Sequence, residues 1–463
     1  KPSKKRTARL KPSIHLENLS TMFKNYLLLS LKVLKRKPFY TFISLFGISF
    51  TLMILMLLTS LFDATLGDNQ PLTHRDRMVV VPMLERTRTE TDTIMKIDTI
   101  ALESAVVRYD TSYTYEDEIV SNSNGPMSYK FVTENLTNLE EAEKFSFWSS
   151  NSDINGYLDG RKFSFSSYYV NAGYWDVFDF KFLHGDRLNE QDDKDANKVV
   201  VITDKAAKTY FGEVDASVIG REMVLGPEIF RVRGIVARPL SDSPMFGGDL
   251  YFPITKVDPR DLNSEELGGG FGATFLTLTS DRREALKREI AFLGENYDMS
   301  GEEYYDKLEL YNATFFEAYA QGILGEEDGD KALRLLFIPV ILLIMLFVAL
   351  PLLNLINLNI SRVYERKGEI GVRKAFGASG TDILYQFVFE NLVLTFIGGL
   401  IGIILAVGLI SYVNANDILG ITRLAYSYKV FFYFLILIVV FGFLSGILPA
   451  YRMSRTNVAE SLR

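Results

Sequence analysis

The stretch SRVYERKGEIGVRKAFGAS, residues 361–379, decides how the rest of the chain is read. It carries seven charged residues, Arg362, Glu365, Arg366, Lys367, Glu369, Arg373 and Lys374, between two long apolar runs. A mainly basic segment in that setting reads as a cytoplasmic loop between two membrane spans, because Lys and Arg collect on the cytoplasmic side. Within it Glu369 and Arg373 stand i,i+4 in the favourable order, and Val372, Ala375 and Phe376 form a small apolar face on the same helix. On charge alone this is a solvated loop that fixes topology. As a short helix at the membrane surface, with a charged rim and an apolar centre, it suits docking into a groove on a partner.

Working outward, residues 39–62 contain no charge over 24 positions, and about 20 apolar residues suffice to cross the hydrocarbon core. Further apolar runs follow at 335–360, 383–412 and 430–451. The expected organisation is four transmembrane helices at 38–62, 331–360, 383–412 and 430–451. Segment 361–382 then lies in the cytoplasm, 413–429 forms a short outer loop, and 452–463 is a cytoplasmic tail. Residues 1–21 read as a basic N-terminal extension, with Met22 a candidate start. In residues 22–37, Phe23, Leu27, Leu31 and Leu34 keep helical spacing among lysines, as in an amphipathic helix lying on the membrane. A signal-peptide n-region is the alternative. The following run is too long for it and lacks a clear small-residue cleavage site.

The charge count orients this layout. Up to Phe62 there are 11 Lys/Arg against 1 Asp/Glu, and from Lys331 onward 12 against 6. Residues 63–330 hold 27 basic and 50 acidic residues, which argues against nucleic-acid binding. By the same distribution this acidic middle lies outside the membrane, with both chain termini in the cytoplasm.

The outer segment alternates strand and helix signals, so the fold class is an integral membrane α-helical protein carrying an α+β extracytoplasmic domain of two lobes. Residues 78–83 and 198–202 read as strands, 204–211 as a short helix with Thr203 as N-cap, and 218–225 with 229–236 as a hairpin through Gly226-Pro227. A strand at 273–279 followed by an amphipathic helix echoes a weaker strand-then-helix order at 129–133 and 138–144. These two units read as halves of one lobe, and 163–253 as the other. The chemistry is sparse. The chain has no cysteine and 3 histidines, of which His74 and His184 stand alone in the outer segment with no metal-ligand spacing. No G-x-S-x-G nucleophile motif occurs, and Asp192-Asp193 and Glu326-Glu327-Asp328 read as solvated loops. No catalytic, cofactor-binding or metal site is expected.

Three separated segments resemble the permease subunits of MacB/FtsX-type ABC transporters. The first is Glu365-Arg366-Lys367-Gly368-Glu369-Ile370-Gly371-Val372-Arg373-Lys374-Ala375-Phe376-Gly377-Ala378, similar to the family's E-R-x-x-E-I-G-[LIV]-R-[KR]-A-[LIV]-G-A pattern. The second runs from Val170 to His184-Gly185, through 199–211, to Ile219-Gly220, and resembles the periplasmic core region. The third is the ending Pro449-Ala450-Tyr451-Arg452-Met453-Ser454-Arg455, closing on Ala459-Glu460-Ser461-Leu462-Arg463. Val458 stands where the family often has Pro. No Gly-Lys-Ser/Thr phosphate loop occurs, so the fused-ATPase members are not matched and the motor is expected on another chain.

The resemblance implies a non-catalytic permease subunit of the bacterial inner membrane, its large domain in the periplasm. It would pair with a second permease subunit, identical or different, and with a separate cytoplasmic ABC ATPase dimer that binds ATP and Mg. The coupling residues would be Glu365, Arg366, Glu369, Ile370, Arg373, Lys374, Ala375, Phe376 and Gly377. ATP binding would shift this segment and rearrange the outer domain, for export of peptides or antibiotics or for lipoprotein extraction, with a periplasmic or outer-membrane partner. The alternative is an FtsX-like regulator whose ectodomain controls an extracellular enzyme such as a cell-wall hydrolase. Gly398, Gly402, Gly442 and Gly446, spaced by four, would let helices approach closely, inside one subunit or at a dimer interface. Glu390, the carboxylate within a span, offers a proton relay or a pairing with a neighbouring helix. Asn354, Asn357 and Asn359 read as interhelical hydrogen-bond groups.

Overall fold

The structure is a computed structural model. It describes residues 38–101, 107–149, 152–240, 243, 245–326, 328–365, 367–377, 379–419, 422–424, 429, 432–433, 435–436, 438–440 and 442–444. The expected surface helix at 22–37, most of the run at 430–451 and the tail at 452–463 lie outside these residues, as do residues 1–21, Arg366 and Gly446. The chain divides into two compact units, Asp68–Phe337 and a helical unit formed by Lys1–Gly67 with Ile338–Arg463.

In the first unit the strands are β1 Met78–Val81, β2 Leu84–Ala101, β3 Val107–Gly125, β4 Ala142–Ser149, β5 Ser152–Leu158, β6 Arg161–Val170 and β7 Phe182–Gly185. They continue as β8 Val199–Thr203, β9 Glu222–Leu225, β10 Glu228–Val236, β11 Leu250–Pro253, β12 Phe271–Thr277, β13 Lys307–Leu310 and β14 Ala313–Thr314. The helices used below are α1 Pro38–Leu66, α2 Tyr129–Asn135, α3 Asp204–Phe211, α4 Arg283–Glu295, α5 Phe315–Leu324, α6 Gly329–Glu365, α7 Lys367–Ala375 and α8 Gly380–Ala415.

Eleven strands make one sheet. Six of them, β6, β11, β8, β10, β9 and β5, pair in succession and close on themselves into a ring. Alternation decides the ring's two surfaces. Val200 and Ile202 of β8, with Leu250 and Phe252 of β11, join Phe165 and Tyr210 in one core. Val201 and Tyr251, one residue out of phase, join Trp148, Tyr168 and Tyr174 in another. Burial on both faces is why Val199–Ile202 reads as an unbroken apolar run. The seam between β5 and β9 has only Gly156↔Leu225 and Tyr157↔Val224. Tyr210 strengthens it: its hydroxyl donates to the Tyr157 carbonyl at 2.6 Å and accepts the Val224 N–H at 3.0 Å.

From β6 the sheet continues through β4, β12, β1 and β14. Here a third core gathers Val79, Phe131, Phe147, Phe275, Leu286 and Ile290. The two expected lobes are therefore two cores on a single continuous sheet, with the aromatic cluster around Tyr174 between them. Thr203 caps α3 by accepting the Ala206 N–H at 3.2 Å, and Gly212 ends it at φ 81°. The order expected at 129–144 is reversed. Ser128 accepts the Phe131 N–H at 3.2 Å and starts α2, while the strand comes after it at β4. The cap outweighs the strand preference of Tyr129, Phe131, Val132 and Thr133.

One large element has no counterpart in the sequence reading. β2 and β3 pair over 18 positions, from Leu84↔Gly125 to Ala101↔Val107, as an antiparallel ribbon. β13 clasps only its root, Leu84 to Thr87. At ~3.4 Å per residue the ribbon is about 60 Å long.

In the helical unit, Thr41–Leu66 and Val388–Ala415 are long and apolar enough to cross a membrane among the described residues. Ile48, Leu52, Leu55 and Met56 of α1 pack with Leu394 and Ala406 of α8 and with Ile438.

Candidate functional site: the charged segment between α6 and α8

The charged stretch folds as α7, nine residues from Lys367 to Ala375. Gly371 is buried, Glu369, Ala375 and Gly377 are exposed, and Val372 is half exposed. Phe376 is 89% exposed. Its N–H still reaches the Val372 carbonyl at 3.1 Å, which keeps the ring on the last turn of the helix beside Val372. Gly377 then turns left-handed at φ 94° and ends the helix, a conformation that costs glycine little. α8 begins at Gly380, with the Ser379 and Thr381 hydroxyls 2.7 Å apart. The arrangement presents an apolar pair, Val372 and Phe376, one turn apart with no cover from the described chain. Of the other expected residues Glu365 is the last residue of α6, while Ile370, Arg373 and Lys374 lie within α7.

The expected close-packing glycines meet named neighbours in the same chain. A Cβ on Gly398 would lie 2.5 Å from Ile48 Cγ2, and one on Gly402 2.9 Å from the Ser49 carbonyl oxygen. A Cβ on Gly442 would lie 2.7 Å from Leu392 Cδ2. Asn391 donates its side-chain N–H to the Gly442 carbonyl at 2.7 Å. Glu390, Asn391 and Thr395 are all buried.

The outer domain corrects one reading. Asp192 and Asp193 are not solvated: Asp192 is 4% exposed and Asp193 half-buried. Asp192 accepts the Asn189 N–H at 3.1 Å and the Asn197 side-chain N–H at 3.1 Å. Asp193 accepts the Ala172 N–H at 2.8 Å and the Ile254 N–H at 3.3 Å, tying three chain segments together. Burial pushes the Asp193 carboxyl up to about 6, against the pull of those two N–H groups. An Asn-x-x-Asp capping box is the sequence signal that carries this arrangement. His74 is exposed, and His184 sits in β7 opposite Ile235. Among the described residues no group of three His, Asp or Glu side chains could hold a metal ion.

Comparison with known proteins matches both units. The model of the MacB-like periplasmic core domain matches residues 41–291, and that of the FtsX-like permease C-terminal matches 339–458. The ABC transporter permease YvrN of Bacillus subtilis is 25% identical over 64% of this chain and 69% of its own length. YknZ, another ABC transporter permease of B. subtilis, is 26% identical over 75% of this chain and 83% of its own. The macrolide export ATP-binding/permease protein MacB of Acinetobacter baylyi is 26% identical over 63% of this chain, but over only 41% of its own length.

Proposed function

The chain belongs to the family of ABC permeases with a MacB-like periplasmic core domain and an FtsX-like C-terminal region, and from that membership we propose that it transmits ATP-driven motion from a separate cytoplasmic ATPase to its outer domain. The family makes it an inner-membrane permease with a periplasmic α+β domain. In the proposed layout four helices span the membrane, at 38–62, 331–360, 383–412 and 430–451, and 361–382 contacts the motor. Glu365, Arg366, Glu369, Ile370, Arg373, Lys374, Ala375, Phe376 and Gly377 form that contact, and ATP and magnesium are held by the partner.

The observation that carries this reading is the bare apolar pair Val372 and Phe376 within a charged segment. A phenylalanine left in water at a helix end is stable in isolation but gains about 1.5–3 kcal/mol when buried, which suits a groove on another protein. α6, an unbroken helix from Gly329 to Glu365, connects the contact to the outer domain along the chain. A motor on a separate chain follows the relatives YvrN and YknZ, whose names are those of permeases alone, where the name of MacB joins ATP-binding and permease. Export of an antibiotic-like molecule follows the macrolide relative; peptide export and lipoprotein extraction are the neighbouring substrates.

Charge reversal tests the contact. Arg373→Glu with Lys374→Glu abolishes co-purification of the ATPase and ATP-dependent activity; retention of both refutes it. The second reading, an ectodomain that regulates an extracellular enzyme, is favoured by the long β2–β3 ribbon, a shape suited to a protein partner. Co-purification of a wall hydrolase with the intact complex selects it, and ATP-dependent release of a small molecule selects export.

A further inference from the structure

We propose that the outer domain binds a compact, uncharged, largely apolar molecule in a cavity of about 290 Å³ beside α5. Met83, Trp148, Met245, Tyr319, Gly322 and Glu326 are among the residues that line it. Ligand cavities run from about 300 to 1,000 Å³ and are walled mainly by apolar and aromatic groups. This one is at the small end and has that character. Its methionines adapt to the outline of what they touch.

Three observations narrow the occupant. First, two of the polar groups on the walls are already engaged. Trp148 donates its indole N–H to Thr274 Oγ1 at 3.0 Å, and the Tyr311 hydroxyl donates to Glu85 Oε2 at 2.8 Å. Recognition therefore falls to shape and apolar contact. Second, the carboxylate at the rim is neutralised: Glu326 pairs with Lys331 at 2.7 Å. A cationic ligand would have to displace that lysine, so an uncharged one fits better. Third, α5 carries a glycine in its interior that packing does not require. A Cβ at Gly322 would meet no atom within 4 Å, although glycine is among the least favourable residues in a helix interior. The missing side chain keeps the cavity open. Gly325, by contrast, is needed as the left-handed cap of the same helix, at φ 65°.

A mainly apolar cavity takes up apolar molecules from water. The occupant is a ring compound on the scale of two or three fused or linked rings, and a lipid tail is the competing source of the same chemistry. The site involves no ATP coupling, so its failure and that of the proposed transport cycle are separable.

The test uses the full chain in lipid nanodiscs, with N-phenyl-1-naphthylamine as the probe. The chain has two tryptophans, and Trp175→Phe leaves Trp148 as the sole energy-transfer donor. The expected result is saturable transfer from Trp148 to the probe, absent when Trp148 is also changed to Phe. Gly322→Leu fills the cavity and weakens binding roughly tenfold with the melting temperature unchanged or raised, since leucine is the better helix former. Gly322→Ala, which adds one methyl into open space, moves affinity in the same direction by a smaller factor. Equal affinity in both glycine variants overturns the site, as does non-saturable transfer. Displacement of the probe by palmitate at equal concentration overturns the compact ligand in favour of a lipid tail.

Discussion

Phe376→Ala separates docking from folding. In the free chain the ring is 89% exposed, so removing it takes almost nothing from the folded state, and surface changes of this kind stay within about ±0.5 kcal/mol. Buried against an ATPase, the same ring is worth about 1.5–3 kcal/mol. Alanine keeps only a methyl, so docking loses on the order of 2 kcal/mol, near thirtyfold in Kd at 1.4 kcal/mol per decade. Phe376→Leu, which keeps an apolar side chain of similar reach, loses less than half of that. The assay is titration of the permease in nanodiscs with its purified ATPase, alongside thermal melting of the permease alone. A Kd unchanged in Phe376→Ala refutes the docking role of this face. A melting temperature that falls in step with affinity refutes the claim that the ring is idle in the fold.

Other expectations concern the interior. Gly398→Val, whose Cβ lies 2.5 Å from Ile48 Cγ2, lowers the stability of the helical unit by about 1–3 kcal/mol through overpacking. Gly408→Ala, with no atom within 4 Å, is neutral or gains up to about 1 kcal/mol; melting curves of the two variants in nanodiscs distinguish them. Thr314 accepts the Glu317 N–H at 3.4 Å in a capping box, so Thr314→Ala costs about 1 kcal/mol, read by urea denaturation. Asp193 is held up at about 6 from the ordinary 3.8 of an aspartate, chiefly by burial. Its protonated form is favoured by folding, so its contribution is full below about 3.8 and is lost as pH rises through about 6. Asp193→Asn flattens that part of the stability profile between pH 4 and 7; a variant with the wild-type pH dependence places the titration elsewhere.

Legibility followed the range of the interactions. α3 was readable because its signals are local, a threonine before the first turn and a glycine after the last. The β9–β10 hairpin was readable because Gly226-Pro227 separates two runs of apolar alternation. At 129–144 two local signals conflict, and the serine cap decides for helix. The β2–β3 ribbon is only partly legible: the first half of β2 has no apolar face to read, although Tyr109, Tyr113 and Tyr115 alternate with polar residues along β3. Thr89, Thr91 and Thr93 alternate with Glu90 and Asp92, a pattern that hydrophobic periodicity scores as loop. What holds the ribbon is its partner strand and the distant β13, neither visible nearby in sequence. Asp192 and Asp193 misled for a related reason: adjacent carboxylates look solvated until Asn189, Ala172, Asn197 and Ile254 are brought around them. The charged segment from Arg362 to Lys374 was legible as a pattern, whereas the exposure of Phe376 required the turn at Gly377 to be seen.

The closed path β6, β11, β8, β10, β9, β5 and the ribbon differ in how they bear load. In the ring each strand has a neighbour on both sides, so no strand can peel without breaking two ladders. The ribbon has its ladder bonds across its length, perpendicular to its strands. A pull along its axis runs through covalent backbone in both strands and stretches no hydrogen bond until it reaches the root. There it meets the four-residue ladder Leu84–Thr87 to Lys307–Leu310, and beyond it the close approach of Gly294 in α4 to the Leu310 backbone. Anything that grips the far end of the ribbon therefore acts as if it held the root directly: the ribbon is a tow-line, stiff in tension, with its weak link at the hitch.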